Sequence, residues 1–430
     1  MSVPRGTFVR GSILGAAIVR ASAKRAKHEL TQPFRRKVRS ASAKDKSDAE
    51  TAKVLFDACS ALRGTPLKLV QVLATEDELL PSAYREQFAL SSHRVEPINR
   101  ALVRKILRVE LGEYNTLFRD FEDVPFAAAS LGQVHAATAL NGDAIAVKLQ
   151  YPGVGDGVAA DLRIAKAVLG PTRLGPAFDS CLVEMRERLN EELDYRREAQ
   201  NTEWFRTHLR LPGVVVPRVY PEYTTKHVIV TERLFGRHAA EYVLLEPSQE
   251  ERNRYGQLLV DLFHYSVFEL HRIHADPNFG NYLFRADGKL GLIDFGCVRR
   301  LDAPFVEGLR QFFTVEECDG ETIEQLHSTL GVVYRRDIPK RELREFLVRW
   351  SHWLRVPYHS ESFDYSQNRE YFAEGFAMGA ESRRFVERSE GAFLYFGRAH
   401  HGLQRLLQTL GATVRQRITG ALTSAASSSS

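Results

Sequence analysis

One short block of the sequence, residues 274–296, constrains the fold more than any other. It contains Asp276, an asparagine five residues later at Asn281, and Asp294, which opens an Asp-Phe-Gly triplet. Between Asn281 and Asp294 lie two short apolar runs, 282–284 and 290–293, separated by a turn that contains Asp-Gly. This pattern predicts two short strands joined in a hairpin. The hairpin would return Asp294 to the side of Asn281.

These three polar residues are of the types that kinase-type sites use. In such sites the first Asp orients the attacking hydroxyl, while the Asn and the second Asp hold Mg²⁺ against the phosphate oxygens of ATP. Mg²⁺ prefers oxygen ligands and usually takes only one or two carboxylates from the protein. A plain turn followed by a plain hairpin would explain either piece alone, but their order and spacing favour catalysis. We therefore predict Asp276 as catalytic, Asn281 and Asp294 as metal ligands, and ATP with Mg²⁺ as cofactors.

A strand upstream offers a lysine for the nucleotide phosphates. Ile145 and Val147 alternate with Ala146 and Lys148, as in a half-buried strand. The Asn-Gly pair just before them predicts a two-residue hairpin turn, with residues 126–139 as the partner region that covers the phosphates. A lone strand lysine is most often solvated, but the downstream motif favours a catalytic and nucleotide-binding role for Lys148.

The segment where a glycine-rich phosphate loop is expected is rich in alanine instead. Alanine does not enter the positive-φ conformations that glycine adopts, so this loop is predicted to be stiffer and to present fewer amides to phosphate. The residues predicted to contact the nucleotide here are Ala127, Ala128, Ala129 and Ser130.

Together these motifs resemble those of the UbiB family of atypical kinase-like proteins, which supports ubiquinone (coenzyme Q) biosynthesis. The resemblance extends over residues 48–300 and more weakly beyond. The motifs that carry it are the alanine-rich segment 127–133, the Ala-Val-Lys triplet 146–148 with residues 150–153, the Glu-Leu-Asp triplet 192–194, and segments 274–281 and 294–296. It implies an α+β, protein-kinase-like two-lobed fold with an N-terminal helical extension.

The resemblance also implies roles for further residues. Lys148 would contact the nucleotide phosphates and pair with Glu198. The family's Lys-x-Gly-Gln motif corresponds here to residues 68–71, so Lys68 and Gln71 would lie on a helix that covers the active site. Lys68 would pair with Glu192, and this cover would exclude large protein substrates.

One position departs from the family pattern. Val70 replaces the family glycine, which adds bulk where the backbone approaches closely.

The acidic partners lie in a charged stretch, residues 182–209, with apolar residues at helical spacing. Asp194 and Glu198 are four residues apart and are predicted to share a helix face, whereas Glu192 and Glu198 are six apart and point differently. Two separate lysine partners are therefore compatible with the predicted helix. A solvated helix with local ion pairs is the alternative, and Glu192 and Asp194 are assigned a regulatory role only through the family motif.

The predicted organisation has five parts. They are a basic flexible arm 1–47, a helical extension 48–112, a kinase-like N-lobe 113–235, a helical C-lobe 236–424 and a serine tail 425–430. Strand 228–232 is predicted as the hinge that meets adenine, which makes Glu232 a nucleotide-binding candidate. An amphipathic helix is predicted at 255–273, directly before the catalytic segment.

The basic arm carries the most uneven charge of the chain. Residues 1–46 contain twelve Lys or Arg and two acidic residues, a net of +10, whereas the whole chain has a net charge of +5. This arm resembles a mitochondrial transit peptide and also suits an anionic membrane surface; a solvated tail is the third interpretation. We expect a location in the bacterial cytoplasm, peripheral at the inner membrane, or alternatively on the mitochondrial matrix side.

Composition and missing motifs limit the other functions. The sequence contains no apolar run of about eighteen residues, so no transmembrane helix is predicted. The four cysteines form no Cys-x-x-Cys pair, which fits a reducing compartment. The arm has no aromatic interleaving and no recognition motif accompanies it, so no nucleic-acid partner is predicted. The expected partners are ATP, an anionic membrane surface or a lipid or quinone precursor, and quinone-biosynthesis enzymes.

Three functions remain open from the sequence. The first is an Mg-ATP-binding atypical kinase or ATPase of the UbiB type. The second is a pseudokinase that binds nucleotide and serves as a scaffold for partner enzymes. The third is a small-molecule phosphotransferase. A kinase for protein substrates is disfavoured because Ala275 replaces the arginine that reads an activation-loop phosphate and because no Ala-Pro-Glu motif follows Asp294.

Overall fold

The computed structural model describes residues 97–128, 131–155, 162, 191–276, 278–316, 319–389 and 391–418. The chain divides into two compact units, and we describe each by itself. Unit 1 extends to Ala199 and includes Val219–Arg233, whereas unit 2 comprises Gln200–Arg218 and the residues from Leu234. The domain boundary predicted after residue 235 stays a prediction. The predicted arm 1–47, most of the extension 48–112 and the serine tail lie outside the described residues.

The described elements up to the end of unit 1 are, in chain order, α1 (Arg100–Leu111), β1 (Phe118–Phe121), β2 (Ala127–Ala128), β3 (Gly132–Ala139), β4 (Ala144–Gln150), α2 (Tyr195–His208), β5 (Val214–Val215) and β6 (Val228–Glu232). Those that follow are α3 (Ala239–Val243), α4 (Gln249–His264), β7 (Arg272–His274), β8 (Tyr282–Phe284), β9 (Leu290–Leu292), β10 (Val298–Arg300), α5 (Ala303–Thr314), α6 (Gly320–Thr329), β11 (Val332–Tyr334), α7 (Lys340–His359), β12 (Phe363–Asp364), α8 (Arg369–Ser382), β13 (Val386–Ser389), α9 (Gly391–Leu410) and β14 (Thr413–Val414).

Unit 1 is built on an antiparallel sheet in the order β1-β3-β4-β6, with β2 paired to β3. Strand β4 lies inside this sheet, and its Ile145, Val147 and Leu149 are buried as the alternation predicts. The hairpin between β3 and β4 forms where the Asn-Gly pair predicts it, with Gly142 at φ 90°. Four residues, 140–143, separate the two strands instead of the predicted two.

Helix α1 is amphipathic and closes one part of the unit 1 core. The Asn99 side chain caps it by accepting the Leu102 amide at 2.9 Å. Val103 and Leu107, four residues apart on one face, are fully buried. Burial of two such side chains stabilises the unit by roughly 3–6 kcal/mol at 1.5–3 kcal/mol each. The helix therefore supports the sheet that carries β4.

Unit 2 contains the predicted hairpin, with β9 one residue shorter than the predicted run 290–293. Strands β8 and β9 pair antiparallel, with Tyr282 opposite Leu292, and β5 joins β9 in parallel. Gly288 in the turn has φ 76°, a conformation that glycine adopts without strain. A second ribbon pairs β7 with β10 and flanks the segment that leads into Asp276.

The helix predicted at 255–273 has different bounds. Helix α4 begins at Gln249, where Ser248 and Glu251 form a capping box, and ends at His264. The chain continues as a π-helical turn over Tyr265–Glu269, and Ile273 lies in β7. The Ser-x-x-Glu signal was available in the sequence, whereas a continuous apolar pattern does not reveal a change from helix to strand.

The remaining helices form the core of unit 2 behind these ribbons. Asp302 caps α5 by accepting the Phe305 amide at 2.8 Å, and α5 packs with α6 and α7 through buried aromatic side chains.

Within the described ranges, no helix is long and apolar enough to cross a bilayer.

Candidate functional site

Lys148 is held in unit 1 by a buried ion pair. It lies on β4 between Val134 of β3 and Ile229 of β6. Its Nζ lies 2.8 Å and 3.0 Å from the two carboxylate oxygens of Glu198, and 5.1 Å from the ring centroid of Tyr195. The Glu198 side chain is 7% exposed and that of Lys148 is 18% exposed. The predicted pairing is observed, and the nucleotide role of both residues stays a prediction.

The helix that carries Glu198 begins later than the charged stretch suggested. Helix α2 starts at Tyr195, and the Asp194 carboxylate accepts the Arg196 amide at 3.1 Å as a helix cap. Asp194 therefore precedes the helix and does not share a helix face with Glu198, contrary to the expectation. Its short side chain competes for backbone amides, which favours a cap over a helix interior.

The other predicted site residues in this part of the chain differ in exposure and hydrogen bonding. Glu192 is half-buried, and its carbonyl accepts a hydrogen bond from the Gln150 side chain at 3.2 Å. Glu232 is the exposed last residue of β6 and lies opposite Ile145. Its predicted contact with adenine stays a prediction. Lys68 and Gln71, the predicted partners in the cover, lie outside the described residues.

The alanine-rich segment is largely strand. Ala127 and Ala128 form β2 and pair with Val134 and Gln133 of β3. Ala129 and Ser130 lie outside the described residues. The Gln133 side chain is fully buried and accepts the Ile98 amide at 2.9 Å. This part of the predicted loop therefore fixes the chain that leads into α1.

Glycine is required at the start of β3 by a close backbone approach. A Cβ at Gly132 would lie 2.1 Å from the carbonyl oxygen of Leu149. No side chain of the L configuration can occupy that space without displacing β4.

Unit 2 holds the predicted catalytic segment, residues 274–281, in a hydrogen-bonded loop. Strand β7 leads into it, and the Ala275 amide donates to the Cys297 carbonyl at 2.9 Å. The Asn281 side-chain amide then donates to the Asp276 carboxylate at 3.1 Å and to the Asp276 carbonyl at 3.3 Å. Asn281 is 6% exposed. The structure therefore brings Asp276 and Asn281 together, as the spacing predicts.

The hairpin returns Asp294 to this loop. The Ile293 amide donates to the Asn281 carbonyl at 3.1 Å, one residue before Asp294. The Asp294 carboxylate accepts the Gly296 amide at 2.9 Å, and its carbonyl accepts a hydrogen bond from Nε2 of His274. Hydrogen bonds to the residues before and after Asp294, and to its own carboxylate and carbonyl, thus fix its position.

Sequence reasoning missed two residues, Asn201 and Phe205, that hold the Asp-Phe-Gly triplet. The Asn201 side-chain amide donates to the Phe295 carbonyl at 3.0 Å. The Phe295 ring packs against Phe205 at 5.1 Å and against His274 at 5.9 Å between centroids. Asn201 and Phe205 are four residues apart on α2 and so share a face. That spacing was a signal that could have identified them as one packing surface.

The donor set in unit 2 is compatible with Mg²⁺. The Asn281 amide nitrogen faces the acceptor-only carboxylate of Asp276, so its carbonyl oxygen is the atom directed away. With the Asp294 carboxylate, this gives two oxygen donors of the type that Mg²⁺ takes from protein. Among the side chains that the structure describes, no three His, Cys, Asp or Glu residues cluster closely enough to bind a metal alone. A site completed by phosphate oxygens and water would not produce such a cluster.

Comparison with known proteins agrees with this arrangement. The model of the ABC1 atypical kinase-like domain matches residues 91–327, more than half of the chain. The chain is 33% identical over 262 residues to the mitochondrial atypical kinase COQ8 of Saccharomyces cerevisiae, covering 59% of this chain and 52% of that protein. It is 31% identical over 295 residues to the chloroplastic protein ACTIVITY OF BC1 COMPLEX KINASE 8 of Arabidopsis thaliana, covering 66% of this chain and 39% of that protein.

The matched relatives are longer than the region of similarity. The chain spans about half the length of the yeast relative, 52%. A solved structure of a Mycobacterium tuberculosis protein in complex with erythromycin is 26% identical, with a TM-score of 0.59 over 87% of this chain and 96% of that chain. These matches confirm the resemblance to UbiB-type proteins and the kinase-like α+β fold. The chain belongs to the family of ABC1 atypical kinase-like proteins.

Proposed function

We propose that this protein is an Mg-ATP-dependent atypical kinase or ATPase that supports ubiquinone or isoprenoid-lipid biosynthesis at a membrane surface. The observation that carries the proposal is the hydrogen bond from the Asn281 amide to the Asp276 carboxylate, 3.1 Å long. This hydrogen bond supports the proposal because an Asp and an Asn held together in one loop, in this order, are what phosphoryl-transfer sites use as general base and metal ligand.

Each residue has a distinct part in this proposal. Asp276 orients the attacking hydroxyl or water and accepts its proton. The hydrogen bond from Asn281 holds the Asp276 carboxylate in place for this role. Asn281 and Asp294 hold Mg²⁺ through oxygen atoms. When bound, Mg²⁺ neutralises charge on the phosphate oxygens. Lys148 binds the phosphates of ATP, and Glu198 restrains its ammonium group.

The membrane and pathway parts of the proposal have separate support. The basic residues 1–46, with a net charge of +10, suit an anionic bilayer surface. The UbiB group to which the chain is similar supports ubiquinone biosynthesis, and one relative is the mitochondrial kinase COQ8. We therefore propose a peripheral location at a bacterial inner membrane, or alternatively on the mitochondrial matrix side. Lipid or quinone precursors and quinone-biosynthesis enzymes are the proposed partners.

The test is ATP turnover by the purified protein with and without Mg²⁺, and with phosphatidylglycerol or phosphatidylcholine liposomes. Asp294→Asn removes the proposed metal ligand, and Asp337→Asn is the matched control because Asp337 is an exposed acid in unit 2. We expect Mg-dependent turnover that rises with anionic liposomes, falls at least about a hundredfold (about 2.7 kcal/mol in barrier) in Asp294→Asn, and is unchanged in Asp337→Asn.

Two other results would select the alternatives. Nucleotide binding without turnover in any condition would favour the pseudokinase scaffold. The strand pairing of Ala127 and Ala128 supports this alternative, because it limits the backbone amides that are available to bind phosphate. Turnover that requires a soluble small-molecule acceptor and ignores liposomes would favour a small-molecule phosphotransferase.

A further inference from the structure

Two arginines lie directly opposite each other on the β7–β10 ribbon in unit 2. The register pairs Arg300 with Arg272, Arg299 with Ile273 and Val298 with His274. Residues directly opposite in an antiparallel pair have their Cβ atoms about 4.5–5.5 Å apart on one face, and like charges so placed repel. Burial and the charge of Arg300 both lower the pKa of Arg272.

Nearby acidic residues do not offset the repulsion between the two arginines. Among the described residues, neither Arg272 nor Arg300 forms a salt bridge with a carboxylate. Glu269 is exposed, and the Asp302 carboxylate accepts the Phe305 amide at 2.8 Å as a helix cap. The arginines of α7, by contrast, have carboxylate partners, such as Glu345 for Arg341 at 2.8 Å.

The Arg272 guanidinium is already fixed by an aromatic platform. Its Cζ lies 3.6 Å from the Trp204 ring centroid, and the Trp204 ring stacks on His208 at 4.2 Å with an interplanar angle of 11°. A guanidinium held in this way loses little rotamer freedom when it binds an anion. Arg300 is exposed at the end of β10 and completes the pair.

We infer that Arg272 and Arg300 form a binding site for a phosphate-bearing ligand, with Trp204 as the platform for Arg272. Planar guanidinium groups bind phosphate oxygens through two parallel hydrogen bonds, and a phosphate monoester or diphosphate has the charge to neutralise both cations. The phosphate is carried by a soluble ester or by a lipid headgroup, which share this chemistry. The site goes beyond the proposed function, because binding here needs no turnover of ATP.

The position of the pair gives the site a relation to the catalytic segment. Arg272 precedes Asp276 by four residues, so their Cα atoms are at most about 14 Å apart along the chain. An anion bound at the pair would therefore lie on the ribbon whose strand β7 leads into Asp276.

The test uses inorganic pyrophosphate as probe, with binding measured by calorimetry at fixed salt on the full chain. The variants are Arg272→Gln, Arg300→Gln and Arg300→Glu. Arg341→Gln is the control, because it removes one charge from a position on α7 whose side chain is 90% exposed. We expect binding to weaken at least tenfold in both glutamine variants and to be unchanged in the control.

Charge reversal separates a ligand site from a merely structural pair. Arg300→Glu supplies the missing negative charge, so it is expected to abolish pyrophosphate binding and to raise the thermal midpoint. Co-sedimentation with phosphatidic acid or phosphatidylcholine vesicles then distinguishes the sources. Loss of phosphatidic acid binding in Arg300→Glu indicates a lipid headgroup, and loss of pyrophosphate binding alone indicates a soluble ester. Equal binding of both probes by wild type, Arg300→Gln and Arg341→Gln would overturn the inference.

Discussion

Asn201 donates its side-chain amide to the main-chain carbonyl of Phe295 at 3.0 Å. Phe295 directly follows Asp294, the predicted metal ligand, so this hydrogen bond restrains the backbone beside Asp294. This relationship makes Asn201 a positioning residue for the proposed metal ligand.

Replacing Asn201 by Ala should weaken Mg²⁺ binding at the proposed site more than it lowers the stability of the protein. The variant leaves the Phe295 carbonyl without its donor, which costs about 1–3 kcal/mol of unfolding free energy. Because that carbonyl follows Asp294, we expect the Mg²⁺ concentration for half-maximal turnover to rise severalfold. Asn368→Ala is the control, since it removes a comparable amide donor to the Asp364 carbonyl, 2.6 Å away. An equal shift in both variants would mean that Asn201 acts only on stability.

The ion pair of Lys148 and Glu198 should be costly to break from one side. Glu198→Gln leaves a largely buried ammonium without its carboxylate, so we expect a loss of about 3 kcal/mol in unfolding free energy and weaker ATP binding. The double variant Lys148→Met with Glu198→Leu should recover most of the stability while ATP binding stays lost. Glu345→Gln breaks a pair whose side chains are 90% and 62% exposed, and it should cost less than about 1 kcal/mol. Urea denaturation of the four proteins measures these differences, and a single variant as stable as wild type would contradict them.

Gly132 should not tolerate a methyl group. A Cβ there would lie 2.1 Å from the Leu149 carbonyl oxygen, so Gly132→Ala forces β3 away from β4 and should cost about 3 kcal/mol or more. A Cβ added at Gly397 on α9 would have no atom within 4 Å, so Gly397→Ala should stabilise the protein by up to about 1 kcal/mol. Denaturation midpoints compare the two, and similar effects of both substitutions would count against the packing of β3 on β4.

Stability should fall in mild acid because histidines are buried in unit 2. Burial lowers the pKa of His264 to about 4, whereas an unfolded histidine titrates near 6.5. Between these values the unfolded chain binds a proton that the native protein does not, so this stability is present above pH 6.5 and is lost as the pH falls toward 4. The slope is about 1.4 kcal/mol per pH unit.

His264→Leu tests that slope. The variant removes one titrating group from an apolar site beside Phe268 and Tyr358, so its unfolding free energy should depend less steeply on pH between 6.5 and 4. His327 and His400, whose pKa values burial lowers to about 3, keep their share of the slope. Unfolding curves at several pH values with parallel slopes for both proteins would contradict the assignment.

The sequence predicted those elements whose signals are local. The hairpin of β8 and β9 was predicted to within one residue, Ile293, because its Asp-Gly turn and apolar runs lie within a few residues. The pairing of Lys148 with Glu198 was expected from family resemblance, not from spacing, since the two residues are 50 positions apart. Contacts at such separation depend on how the sheet and α2 pack.

Predictions that relied on periodicity alone were less accurate. The helix at 255–273 was shifted because an apolar pattern continues through α4, the π-helical turn and β7. Asp194 was assigned to a helix face although its preference for capping outweighs spacing. The Asn201 contact with Phe295 could not be predicted, because it joins a side chain to a backbone carbonyl 94 residues away.

We propose that this chain binds ATP through Mg²⁺ held by Asn281 and Asp294. The most direct measurement is calorimetric binding of a non-hydrolysable ATP analogue with Mg²⁺ and with chelator, for wild type and Asp294→Asn. The account predicts binding that weakens at least tenfold when Mg²⁺ is removed, and by a similar factor in Asp294→Asn with Mg²⁺ present. Absence of nucleotide binding, or binding that neither chelation nor Asp294→Asn alters, would contradict it.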